Sequence, residues 1–305
     1  MQREEIIRIV EESAALVAGN YVFPEIGATL GTLLETRLAA GVYLGAGDAR
    51  ALGTQVTVDL QSVNGDKHLR LKYHEEEIPD LPPEEMMTAE VLREAARTLG
   101  GIARIERLPG NVALLELGPR LLPAAYVGDA VAAAMTVVAR ADALVLDLRG
   151  TVGGDPGIVA LICSYLVGDE PVHLNNVFEA ATGDTTQFWT LPYVPGAKFG
   201  PDKPVWVLTS SATFSGGEEL AYDLQQLGRA TLVGERTGGG AHPRIGIRVH
   251  AHLELTVPTG RGINPVSGTN WEGVGVAPDI ECPAGEALEV ALRANAGEVP
   301  ALRAA

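Results

Sequence analysis

Apolar residues in the first sixty positions recur at the three- to four-residue spacing of amphipathic helices. Residues 3–18 carry one such stripe, and residues 24–40 carry a second, separated from the first by the helix-breaking pair Phe23-Pro24. Asp48 is placed to cap a third helix. The predicted inward positions are Ile6, Ile9, Val10, Leu16, Val17, Ile26, Leu30, Leu33, Leu34, Leu52, Val56 and Leu60. Short links between the three helices predict a small bundle.

The pattern changes after the turn signal Asn64-Gly65-Asp66. Residues 67–73 alternate between apolar and polar positions, as in a strand. Residues 74–90 are acidic and rich in proline, which is typical of a linker or lid, and a helix is predicted from there to about Leu99.

From Ile102 onward, predicted strands and helices alternate, which indicates an α/β fold around a largely central sheet. The predicted strands are 102–108, 112–117, 143–148, 205–208 and 231–234, and the predicted helices are 127–140, 156–166 and 216–227. Residues 245–257 alternate cleanly and predict one further strand. We therefore expect an N-terminal helical domain over residues 1–75, an acidic linker and helix over 76–100, and an α/β core over 101–305.

Composition and charge exclude several classes of function. The chain has 39 acidic and 23 basic residues and a net charge of −16, so it lacks the basic surface that nucleic-acid binding requires, and an anionic membrane would repel it. Charged residues interrupt the most apolar long stretch, near residues 124–148, so no membrane-spanning helix is expected. The acidic, amphipathic N-terminus is unlike a signal peptide, which makes the cytoplasm the expected location.

No cofactor or metal is expected from the motifs. Cys163 and Cys282 are far apart and have no metal-ligand spacing, and no H-E-x-x-H pattern occurs. Residues 147–157, DLRGTVGGDPG, follow a buried strand but lack both the G-x-G-x-x-G spacing and the Lys-Ser/Thr pair of a phosphate loop. The glycines of this loop serve either a turn with positive φ or an oxyanion pocket lined by bare amides.

The stretch TSSATFSGGEELAYDL places Ser215 between a predicted strand and the helix that begins at Gly216. In one interpretation Ser215 is the N-cap of that helix, paired with Glu218 as a capping box. In the other it is a nucleophile, because N–H groups at the start of a helix stabilise an adjacent oxyanion. The local pattern alone favours the cap. Thr213 also stands where a G-x-S-x-G elbow would have its first glycine.

Two other groups of residues carry ionisable side chains of interest. Glu272 lies between Trp271 and a glycine, a setting for a semi-buried carboxylate, although by itself it is more typical of a loop salt bridge. His250 and His252 fall on the polar face of the strand predicted over 245–257, so we expect them to be solvated.

Four stretches, DKHLRL, LDLRGTVGGDPG, SSATFSGGEELAYDLQQLGRATLVGERTGGGAHP and NWEGVGVAPDI, together resemble the tail-specific (C-terminal-processing) serine peptidase family. The chain looks most similar to the branch that contains the interphotoreceptor retinoid-binding protein modules, with tricorn protease as a more distant relative. The resemblance covers nearly the whole chain. It implies a crotonase-like spiral core of ββα units behind an N-terminal helical domain. It also implies that Ser215 is the nucleophile and that Gly216 and Gly153 (or Gly154) supply the oxyanion amides.

The resemblance includes departures that bear on the catalytic base. The processing peptidases pair their serine with a lysine in G-E-x-T-x-G-K, but Gly240 occupies that position here. The segment between His68 and Gly101 is also too short for the family's peptide-binding PDZ insert. Tricorn-like relatives use a histidine instead, which places His68 as the base and Glu272 as the acid behind it, with Lys67 replacing the serine that precedes that histidine. His242 is the rival base, because it closely follows the lost lysine position.

Two functions from different classes follow from this resemblance. The first is a serine peptidase that acts on short or unfolded peptides through Ser215, His68 and Glu272. The second is a non-catalytic carrier of hydrophobic ligands such as retinoids or fatty acids on the same scaffold. The presence of all three catalytic residue types favours the enzyme, because a carrier needs none of them.

Overall fold

The computed structural model describes residues 1–80 and 83–298, which form two compact units. In chain order the elements are α1 (Arg3–Asn20), α2 (Pro24–Ala39), α3 (Ala49–Leu60), β1 (Arg70–Tyr73), α4 (Pro83–Arg97), β2 (Ile102–Leu108), β3 (Val112–Leu117), α5 (Ala124–Val138), β4 (Ala143–Asp147), α6 (Pro156–Leu166), β5 (His173–Glu179), β6 (Thr185–Trp189), β7 (Val205–Thr209), α7 (Gly216–Gln226), β8 (Thr231–Gly234), β9 (Arg244–His250), β10 (Leu253–Pro258), β11 (Gly260–Ile263), β12 (Ile280–Glu281) and α8 (Ala287–Asn295). Short 3₁₀ turns occupy Leu99–Gly101 and Pro109–Asn111. The divisions between the units fall within α4, β5, β6 and β11 and between β8 and β9. Strands β5, β6 and β11 form a small sheet of order β11-β5-β6.

Unit 1 comprises Met1–Thr88, Val177–Thr186 and His242–Gly262. The three predicted helices form, and Asp48 caps α3 by accepting the N–H of Ala51 at 2.8 Å. Their apolar faces share one core with a three-stranded antiparallel sheet of order β1-β10-β9. Unit 1 therefore combines the leading helices with a hairpin from the last quarter of the chain.

Unit 2 comprises Ala89–Asn176, Gln187–Ala241 and Ile263–Ala305. Its six-stranded sheet has the order β12-β8-β7-β4-β3-β2, and all neighbours are parallel except β2, which runs antiparallel to β3. Successive side chains of a strand point to opposite faces, so Leu144 and Leu146 pack against α5, α6 and α7, while Ala143 and Val145 pack against α8. All five residues of β4 and of β7 are buried for this reason. This mixed α/β architecture confirms the predicted fold class.

The prediction of one strand over residues 245–257 is wrong. The chain turns at Ala251-His252, and β9 pairs with β10 as an antiparallel hairpin. A β-bulge between Leu253 and Glu254 shifts the register by one residue, so odd-numbered residues face the core in both strands. The alternation of core-facing and outward-facing residues therefore continues through the turn, so the sequence pattern resembles that of a single strand. The pattern also did not reveal β5, β6, β11, β12 or α8.

None of the helices in residues 1–80 and 83–298 has the length and apolarity needed to cross a bilayer. Cys163 and Cys282 are both free thiols.

Candidate active site

Ser215 lies at a strained corner of unit 2, between the end of β7 and the start of α7. Its backbone has φ 54° and ψ −120°, a region that residues with a side chain rarely enter. Such a conformation costs on the order of 1–3 kcal/mol and persists only where its surroundings enforce it. Nucleophilic serines at strand-to-helix turns occupy sharp, strained corners of this kind.

A glycine loop packs directly against this corner. A Cβ added to Gly216 would lie 2.5 Å from the backbone nitrogen of Gly154, so only glycine permits the contact. A Cβ on Gly153 would lie 4.0 Å from the Cβ of Ser215. Within the described part of the chain, the N–H groups of Gly153 and Gly216 donate to no protein acceptor. Two unengaged amides therefore lie next to the Ser215 side chain, as oxyanion stabilisation requires.

Hydroxyl groups hold the glycine loop and the serine turn together. Thr213 donates to the carbonyl of Leu148 at 2.9 Å, and Ser210 donates to the carbonyl of Arg149 at 2.6 Å. The N–H of Phe214 donates to the carbonyl of Thr151 at 2.9 Å. These bonds join the end of β4 to the end of β7, which are neighbours in the sheet, so the corner is a property of the sheet rather than of one loop.

The fully buried carboxylate of Glu218 organises the residues around Ser215. It accepts the N–H of Ser215 at 2.8 Å, the N–H of Gly239 at 2.7 Å, the N–H of Gly240 at 2.8 Å and the hydroxyl of Thr237. Burial raises the pKa of Glu218, while these four donors oppose the rise by favouring the carboxylate. The predicted capping pair of Ser215 and Glu218 is therefore present, but the glutamate also binds the loop of residues 237–240.

That loop pairs with the segment containing Glu272. The N–H of Ala241 donates to Glu272 Oε2 at 2.6 Å, the N–H of Gly273 donates to the carbonyl of Gly239 at 3.1 Å, and the indole N–H of Trp271 donates to the carbonyl of Gly240 at 2.8 Å. Gly240, at the position of the family's lysine, is thus engaged through both backbone groups. Glu218 and Glu272 accept from the consecutive amides of Gly240 and Ala241.

His68 lies in unit 1, with only 7% of its surface exposed. The backbone N–H of His68 donates to Asp66 Oδ1 at 2.9 Å, and its backbone carbonyl accepts a hydrogen bond from the hydroxyl of Thr256. Burial lowers the pKa of His68 to about 4, and the positive charge of Arg244 adds to the lowering, while Asp66 opposes it. The imidazole is therefore neutral at neutral pH, the form that can accept a proton.

Unit 1 also contains a histidine–carboxylate pair that sequence reasoning missed. His242 Nδ1 lies 2.7 Å from Asp66 Oδ2, and both residues are buried. The same oxygen accepts the hydroxyl of Tyr21 at 2.9 Å. Burial by itself would raise the pKa of Asp66, but His242 and the other donors lower it. In the sequence Asp66 is only part of a turn signal, and no pattern links it to His242, which lies 176 positions further along the chain.

The expectation that His250 and His252 are solvated is wrong. His250 Nε2 lies 3.2 Å from Glu5 Oε1, and His252 Nδ1 contacts the carbonyl of His74 at 3.1 Å. The β9–β10 turn carries both histidines to partners from distant parts of the chain.

Comparisons with known proteins bear on the whole chain. The profile described as Peptidase family S41 matches residues 124–282, and that described as the N-terminal domain of Peptidase_S41 in eukaryotic IRBP matches residues 2–99. A solved protein structure from Parabacteroides merdae is similar with a TM-score of 0.62 at 15% identity, covering 97% of this chain and 96% of that chain. A lipoprotein from Streptococcus agalactiae gives a TM-score of 0.60 at 13% identity, with 96% and 97% coverage. The photosystem II D1 C-terminal processing protease gives 0.51 at 17% identity, with 92% and 93% coverage. At these identities the likeness to solved structures establishes the fold.

Proposed function

The chain belongs to peptidase family S41, and from that premise we propose that it is a serine peptidase that cleaves peptide bonds through an acyl-enzyme on Ser215. The observation that carries the proposal is the strained backbone of Ser215 beside two unengaged amides, those of Gly153 and Gly216. A helix cap alone needs neither the strain nor the second amide.

The proposed mechanism assigns one role to each residue. The Ser215 hydroxyl attacks the scissile carbonyl while His68 takes its proton, and the oxyanion accepts hydrogen bonds from Gly216 and Gly153. His68 then gives the proton to the departing amine as the C–N bond breaks. Water, activated by the same imidazole, releases the acyl group from Ser215. Glu272 orients His68 and stabilises its charged form.

Labelling with a fluorophosphonate tests the nucleophile directly. We expect the wild-type chain to be labelled and Ser215→Ala to remain unlabelled. Ser211→Ala is the matched control, because Ser211 is an exposed serine of the same turn, and it should be labelled like the wild type. Absence of labelling in a correctly folded wild-type chain would contradict the proposal.

The choice of base is tested by substituting each histidine. His68→Gln should lower the labelling rate by about 10²–10⁴-fold, the usual contribution of a positioned general base. His242→Gln should retain labelling and lose stability, by roughly 1–3 kcal/mol, because Asp66 loses a buried hydrogen-bond partner. The reverse result would assign the base to His242.

A groove in unit 1 favours the hydrophobic-ligand carrier as a second candidate. Its volume is about 610 Å³, which falls within the roughly 300–1,000 Å³ typical of small-molecule sites. Its lining is Arg3, Ile7, Glu11, Glu35, Leu38, Ala39 and Leu44. Titration with a fluorescent fatty acid separates the two functions. Saturable binding that Leu38→Glu abolishes and Ser215→Ala leaves unchanged would support a carrier.

A further inference from the structure

Strand β2 ends the six-stranded sheet of unit 2 and presents an open edge. It pairs with β3 on one side, and residues 103–108 have no other backbone partner in the described part of the chain. Ala103, Arg104, Ile105 and Arg107 are exposed. Such an edge is a template for pairing with another strand.

The side chains of this strand are complementary to a second copy of the same strand. In an antiparallel pair related by a two-fold axis at Ile105, each Arg104 lies opposite the Glu106 of the other strand. The two Ile105 residues, 41% exposed in one chain, then face each other. Opposite charges directly across an antiparallel pair are stabilising, whereas like charges are destabilising.

Helix α5 adds an exposed apolar surface on the same side of the sheet. Tyr126, Ala130, Ala133 and Val137 recur at helical spacing, and Tyr126 and Val137 are 41% and 58% exposed. The stripe lies away from α6, which contacts Gly128 on the other side of α5. Ala130 lies against Gly100, just before β2 begins. Leu99, which directly precedes Gly100, is a further apolar side chain that is 77% exposed.

We propose that two copies of this chain associate through β2, antiparallel about Ile105, with the apolar stripes of the two α5 helices packing across the same axis. The sheets then continue from one copy into the other. A short strand pair buries too little surface for a stable interface, which needs roughly 1,200–2,000 Å² in total, so the α5 stripe is a necessary part of the contact. A two-fold interface uses the same patch on both copies, which a self-complementary strand satisfies.

Molar mass in solution tests the proposal on the full chain, by light scattering and sedimentation equilibrium at micromolar concentration. The wild type should have twice the 32.0 kDa of the chain. Arg104→Glu places like charges opposite each other and should halve the mass, and so should Glu106→Arg. Val137→Glu should halve it through the helix contact. Arg8→Glu is the control, because Arg8 is an exposed arginine of unit 1 that pairs with Glu12, and its mass should equal that of the wild type.

Two further measurements test the antiparallel register. The double variant Arg104→Glu/Glu106→Arg exchanges the charges and should recover the doubled mass. An equimolar mixture of the two single variants should also form dimers, because every facing pair is then Glu opposite Arg. Far-UV circular dichroism confirms that each variant is folded. A monomeric wild type, a dimer that survives Arg104→Glu, or a folded double variant that stays monomeric would each overturn the proposal.

Discussion

Asp48 and Ser215 each precede a helix, yet their backbones differ. Asp48 is extended, with φ −151° and ψ 176°, and its side chain caps α3 in the ordinary way. Ser215 has φ 54°, and its N–H is held by Glu218. The extended conformation was available to Ser215 at no cost in strain. Because Ser215 does not adopt the extended conformation, we infer that the surrounding hydrogen bonds maintain the position of its hydroxyl rather than a helix cap.

The burial of His68 leads to a prediction about pH. The proposed base acts in its neutral form, and burial lowers the pKa of His68 to about 4. The rate of fluorophosphonate labelling should therefore stay constant from pH 8 to about pH 5 and fall as the pH drops through about 4. A base with the ordinary histidine pKa would give a fall near 6.5. Circular dichroism at each pH controls for unfolding, and a midpoint near 6.5 in the folded protein would contradict the assignment.

At the scale of the element, α7 carries two different carboxylate environments in consecutive residues. Glu218 faces the loop of residues 237–240 and accepts four hydrogen bonds. Glu219 and Asp223, one turn apart, face the interior of unit 2, where Asn175 and Asn264 donate to them. The first environment holds a loop in place, whereas the second places two like charges close together.

Removing the Glu218 carboxylate should both destabilise the protein and lower the reactivity of Ser215. Glu218→Ala leaves four buried donors without their acceptor, at about 1–3 kcal/mol for each unsatisfied group, so urea unfolding should show a loss of about 3 kcal/mol or more. Labelling of Ser215 should also fall, because the bond to its N–H is lost. Glu170→Ala, in an exposed loop of the same unit, should change stability by less than about 0.5 kcal/mol. A stable, fully labelled Glu218→Ala variant would refute this role.

The acidic pair on α7 should make stability fall at alkaline pH. Burial raises the pKa of Glu219 to about 7, and the negative charge of Asp155 adds to the rise. Burial also raises the pKa of Asp223 well above its ordinary value, and the neighbouring charge of Glu219 adds to that rise. The folded protein thus holds protons that the unfolded chain releases, so stability is retained below about pH 4.5 and lost as the pH rises through about 7. Asp223 Oδ2 has no hydrogen-bond partner among the described residues.

Asp223→Asn tests this directly, because it removes the charge and keeps the acceptor for Asn264. We expect Tm to rise at pH 8, by roughly 2–4 °C for each kcal/mol gained, and to be unchanged at pH 5. Asp169→Asn is the exposed control and should show no such difference between the two pH values. An Asp223→Asn variant that is less stable than the wild type at pH 8 would contradict the account.

At the scale of the whole molecule, unit 1 is assembled from segments that are far apart in the sequence. Its core includes Val249, Leu253, Leu255 and Val257, and β1 has β10 as its partner. A fragment of residues 1–80 should therefore lack a cooperative thermal transition, because it loses the strands β9 and β10 that complete the core and the sheet. Covalent fusion of 242–262 to that fragment should restore part of the transition. Cooperative unfolding of the fragment alone would show that the helices form a complete core.

The sequence by itself determined the individual elements and the local chemistry. The leading helices, the buried strands β4 and β7, and the placement of Ser215 before a helix all follow from periodicity, proline positions and capping residues, which act over a few residues. The resemblance to a serine peptidase family was also evident from local phrases, and the family match confirms it.

Tertiary structure alone decided which distant residues meet. The bond between Asp66 and His242, the cage of donors around Glu218, and the pairing of β1 with β10 join positions that are tens to hundreds of residues apart. The strain at Ser215 has the same origin, because hydrogen bonds from neighbouring strands and loops enforce it. Contacts of this kind depend on how sheets and helices stack, and a buried charge or a left-handed backbone is stable only once all of its partners are in place.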